Sequence, residues 1–183
     1  MTDIYMSTHD IDWFCCINHV YVHVASAGCK LPEQYRTMHP QILKSFLNRA
    51  LSLPVISDYI LNEDYVNRYI IQNGEDDFEH EFFDDSEDDI FLHDEPKIMR
   101  LYSRSFVEMA RRGFYSFDKS EGENDNYHLV AKPTIALQES QMQLVFSKQL
   151  LTVACDSLSF DSIDQLTGVK LVDIIDNNTN RDL

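Results

Sequence analysis

The sequence predicts a single α+β domain: an antiparallel sheet built from hairpins and packed against about three helices. Three observations predict it. Apolar residues alternate with period two near the start, recur at helical spacing in the middle, and alternate again after Gly113. The order strands, helices, strands favours an antiparallel sheet with helices gathered against it. With 183 residues and 44% hydrophobic content, the chain is long and apolar enough for one real core. No internal repeat or long linker divides it, so residues 1–183 read as one unit with a frayed tail from about residue 177.

The first element is a hairpin. IDWFCCI and VYVHVAS flank Asn18-His19, a two-residue turn. In that register one face holds Ile11, Trp13, Cys15, Ile17, Val20, Val22 and Val24, a core face. The other holds Asp12, Phe14, Cys16, Tyr21, His23 and Ala25. A slip of one residue would exchange faces on one strand, so the pattern closes in this register only. Phe14 and Tyr21 on the second face predict that a helix covers it.

Gly28 and Pro32 end the hairpin. In HPQILKSFLNRALSLP, Pro40 suits a first helical turn and Pro54 ends the helix. NEDYVNRYIIQNG is a second helix, with Asn62 as its cap and Gly74 as its stop. PKIMRLYSRSFVEMARRG is the strongest helix, with an apolar face of Ile98, Tyr102, Phe106, Met109 and Ala110. Asp94 and Glu95 precede it and Arg111 and Arg112 end it, as the helix dipole favours. GFYSFD and NYHLVAKP then form a second hairpin around KSEGEND. Further on, QLLTVACD and GVKLVDII read as strands, and FDSIDQL as a short helical turn. QMQLVFSK fits strand or helix.

Charge is the feature that points outward. The chain carries 31 acids and 15 bases, a net charge of −16. Between Glu75 and Glu95, 12 of 21 residues are acidic and none is Lys or Arg. Without those 12 the remainder is nearly balanced, so the acidity is local. Such a surface repels nucleic-acid phosphates and anionic membranes. A basic protein partner, a cation or simple solubility fits it.

Three readings of this segment go beyond solvation. Asp84, Ser86, Asp88, Ile90 and Glu95 fall at calcium-loop positions, but Asp89 stands where the sharp turn needs Gly, so no metal is assigned. A helix here would carry roughly one charge per 2.6 Å, the order of duplex DNA, so nucleic-acid mimicry is a second reading. The third is docking to a basic protein. Glu75, Asp76, Asp77, Glu79, Glu81, Asp84, Asp85, Glu87, Asp88 and Asp89 supply charge, and Phe82 and Phe83 supply anchors. The alternative to all three is a solvated loop pinned by its apolar residues and facing the basic stripe of the next helix, Lys97, Arg100, Arg104 and Arg111, within the same chain.

Catalytic signals are sparse. Phosphate-binding glycine loops, HExxH and GxSxG are missing from the sequence. Ser26 and His23, three apart on a strand, point to opposite faces and form no dyad. Asp12 and His23 are diagonal neighbours on one face, within reach for a carboxylate to orient an imidazole. They are the candidate catalytic pair. No cofactor is implied. His19, His80 and His93 lack a ligand spacing, and Cys15, Cys16, Cys29 and Cys155 match no zinc pattern. The opening MTDIYMSTHD lacks a basic, apolar leader and no run approaches a membrane span, so a reduced, cytoplasmic setting is expected.

DIDWF, the HVASAG..LP run, and GFYSFD with NYHLVAKP after it resemble a family of uncharacterised bacterial proteins over roughly the first 130 residues. The resemblance implies a bacterial cytoplasmic setting and no functional residues. The sequence therefore predicts an acidic interaction protein, inhibitor-like or immunity-like, with an Asp12–His23 enzyme as its alternative.

Overall fold

The computed structural model describes residues 1, 5, 9–28, 30–73, 96–119, 126–139 and 150–179. The elements are β1 (Asp12–Ile17), β2 (Val20–Ala25), α1 (Glu33–Arg36), α2 (Pro40–Leu51), β3 (Tyr59–Leu61), α3 (Glu63–Asn73) and α4 (Lys97–Arg111). After them come β4 (Tyr115–Lys119), β5 (Tyr127–Pro133), β6 (Leu151–Val153), a 3₁₀ turn (Ile163–Leu166) and α5 (Leu171–Thr179).

The fold is α+β, as the element order predicts. The six strands form one sheet in the order β3-β5-β4-β2-β1-β6. It is mixed, which corrects the expected antiparallel sheet. β1–β2, β4–β5 and β3–β5 are antiparallel, while β2–β4 and β1–β6 are parallel. Parallel pairing needs a long crossover. The α1–α4 stretch supplies one between β2 and β4.

Both predicted hairpins form. In β1–β2 the pairs run from Asp12↔Ala25 to Ile17↔Val20, the predicted register. Asn18 and His19 both have positive φ, 52° and 64°, which matches the twist of a tight two-residue hairpin turn. The Asn18 side chain donates to the carbonyls of Cys155 and Leu158 and accepts from the Cys155 N–H at 2.8 Å. The turn is thereby fastened to the chain beyond β6. In β4–β5 a bulge falls between Ser116 and Phe117.

β1 and β2 are buried on both faces. Trp13 meets the rings of Tyr35 from α1 and Tyr127 from β5 on one side. On the other side Phe14 meets Phe114, and His23 meets Phe106 of α4. That is the predicted helix cover. α2 packs on β1 and α5 on β6. Each fully buried large side chain of this core contributes about 1.5–3 kcal/mol of transfer free energy.

Several local expectations are corrected. GVKLVDII reads as a strand and the tail as frayed from about 177, yet Leu171–Thr179 is helical. Leu171, Val172 and Ile175 lie at helical spacing and are buried together. The buried face of α4 keeps Phe106, Met109 and Ala110 of the predicted one and adds Met99, Ser103 and Val107, whereas Ile98 and Tyr102 are partly exposed. Ser103 tolerates burial because its hydroxyl donates to the Met99 carbonyl. α1 and β3 are additions to the predicted elements, both too short to show a period. QMQLVFSK lies outside the described residues.

Candidate functional site: a buried polar line and a cavity at its end

Asp12 and His23 meet as the register requires. His23 Nε2 lies 2.8 Å from Asp12 Oδ1. The other ring nitrogen, Nδ1, lies 2.7 Å from Ser116 Oγ. The three residues form an unbroken line across β1, β2 and β4, because His23 pairs with Ser116 in the parallel ladder. Sequence reasoning misses Ser116. It lies 93 residues from His23, and no local pattern reveals a parallel pairing.

Access decides what this line can do. His23 is 1% exposed and Ser116 0%. Both imidazole nitrogens are occupied, and the rings of Phe14 and Phe106 flank the imidazole. A substrate cannot reach a nucleophile or base placed so. The line instead satisfies buried polar groups between sheet and helix.

Asp12 differs, since its side chain is 29% exposed. It lines a cavity of about 260 Å³ between the start of β1 and α2. Asp10, Ile11, Leu43, Lys44 and Leu47 share the lining. Asp10 is exposed, and its Oδ1 accepts from the Ala27 N–H at 2.8 Å and from the Ser26 hydroxyl at 3.5 Å. Ser26 thus serves the β2 exit and not His23.

A second polar group lies along the same sheet face. Tyr102 donates to Asp118 Oδ2 at 2.6 Å, and Tyr65 stacks on His128 with centroids 4.7 Å apart. Burial, then the Asp118 charge, pushes the Tyr102 phenol well above its ordinary range. Burial likewise raises the Tyr65 phenol, again with Asp118 adding to it.

The thiols of Cys15, Cys16 and Cys155 are free and buried. Burial pushes Cys15 and Cys16 upward, away from reactive thiolate. Among the described residues no cluster of three His, Cys, Asp or Glu side chains is arranged to hold a metal ion. No helix among them is long and apolar enough to cross a membrane. The acidic residues expected from the sequence to bind a partner, Glu75 to Asp89 with Phe82 and Phe83, lie outside the described residues, as do His80, His93 and the calcium-loop match at 84–95. Their chain anchors are described: the segment joins α3 to α4, and these helices pack together, with Tyr69 stacked on Tyr102 at 4.4 Å.

No family model matches the chain, and neither the curated proteins nor the solved structures contain a significant match.

Proposed function

We propose that this is a non-catalytic interaction protein that binds a basic macromolecular partner through residues 75–95, as an inhibitor or immunity-type factor does. One observation carries the reading: 12 of those 21 residues are acidic in a chain otherwise close to neutral. Charge concentrated in this way steers a cationic partner and raises its association rate. The burial of His23 and Ser116 supports the reading by weakening the catalytic one. The buried thiols are consistent with a reducing, cytoplasmic setting.

The test is affinity capture from a bacterial lysate, with mass spectrometry of the captured proteins. Wild type is compared with a variant in which Asp84, Asp85, Glu87, Asp88 and Asp89 become Asn or Gln. A captured basic protein should be lost with the variant. Equal capture at physiological salt overturns the proposal. The competing reading, an enzyme using Asp12 and His23, has in its favour only that Asp12 lines a cavity.

A further inference from the structure

The cavity at Asp12 is lined by residues of the first 47 positions. We propose that it binds a small organic cation of the alkylammonium class, with Asp12 as its counter-charge. The size sets the first limit. At about 260 Å³ it lies below the ~300–1,000 Å³ of sites for drug-sized ligands, so a ligand of a few heavy atoms fits.

The lining sets the chemistry. Ile11, Leu43 and Leu47 offer apolar wall for a short hydrocarbon body. The lining also includes His9, and among its Asp and Lys side chains Asp10 and Asp12 outnumber Lys44. Lys44 is exposed and belongs to the rim, whereas Asp12 is half-buried beside the fully buried Leu43. The two carboxylates also differ. Asp10 is exposed, and its Oδ1 accepts from the Ala27 N–H and the Ser26 hydroxyl. Asp12 is held from behind by His23, itself fixed by Ser116. That leaves Oδ2 of a rigidly oriented carboxylate as the anchor for a cation, a preorganised geometry that lowers the cost of binding. A carboxylate or phosphate ligand would meet two like charges against the one cation Lys44 and is disfavoured.

The experiment uses the full chain and three probes of equal length: n-butylammonium, n-butanol and butyrate. Binding is monitored by amide chemical shifts. Butylammonium should move the resonances of Ile11, Asp12, Leu43 and Leu47 saturably, with Kd on the order of 1–10 mM. Asp12→Asn, which keeps the size and an oxygen for His23, should weaken binding about tenfold or more. Lys44→Ala, on an exposed rim position, should strengthen it about two- to fivefold. The Lys44 variant carries the test if the Asp12 variant does not fold. No saturable shift up to about 100 mM, equal response to all three probes, unchanged affinity in Asp12→Asn, or unchanged affinity in Lys44→Ala each overturns the proposal.

Discussion

Tyr102 on α4 donates to Asp118 on β4 at 2.6 Å, a bond that ties the strongest helix of the chain to the centre of the sheet. Asp118 is 6% exposed, so its carboxylate depends on protein donors. Tyr102→Phe removes the hydroxyl and keeps the ring stack on Tyr69. It should cost about 1.5–3 kcal/mol, the range for hydrogen bonds to charged groups. Urea unfolding monitored by far-UV circular dichroism would measure it.

The buried tyrosines make stability fall in alkali. Burial, the largest cause, raises the phenols of Tyr35, Tyr65 and Tyr102 above the ordinary value of 10.0. A raised folded-state value means that the unfolded chain releases its protons first. Their contribution is therefore complete below about pH 10 and declines as pH rises above it, by up to about 1.4 kcal/mol per pH unit for each tyrosine. Tyrosinate absorbance of these residues should appear together with loss of circular dichroism. Titration of every tyrosine before unfolding would contradict this.

The polar line should behave as a coupled unit. His23→Phe leaves Ser116 without its partner in a site of 0% exposure and should cost about 2–4 kcal/mol. Ser116→Ala leaves the buried His23 Nδ1 unpaired and should cost about 1–3 kcal/mol. A double-mutant cycle should then give a coupling of about 1 kcal/mol, because both changes remove the same bond.

Two glycines of positive φ separate space from backbone strain. A Cβ on Gly113 would sit 2.7 Å from the Leu137 nitrogen and 2.9 Å from its Cβ. On Gly168 it would meet nothing within 4 Å. Gly168→Ala should cost only the left-handed penalty, about 1–2 kcal/mol. Gly113→Ala should cost clearly more, because the 113–137 contact must open. Thermal denaturation of the two variants gives the comparison.

The hairpins, the first register and the Asp12–His23 pair are legible in the sequence, because alternation and a two-residue turn are local signals. Asn62 is legible too: its Oδ1 accepts from the Tyr65 N–H at 3.3 Å, as a helix cap should. What escapes is set by distant chain. The parallel neighbours of β1 and β2 leave no pattern within either strand, so Ser116 and the mixed sheet are invisible there. α5 reads as a strand because LVDII satisfies both periods over so short a span. Lys44 and Leu43 read only as part of a helix, since nothing local says that a cavity lies between α2 and the start of β1.

The two parallel ladders also impose an order of events on folding. β2 waits for a partner that begins at Tyr115, and β1 for one that begins at Leu151. The first hairpin, though complete by Ala25, emerges from the ribosome with both outer edges open. Closing such distant pairs is entropically slow and leaves apolar strands such as DWFCCI exposed meanwhile. Refolding yield should therefore fall with protein concentration well before native stability does.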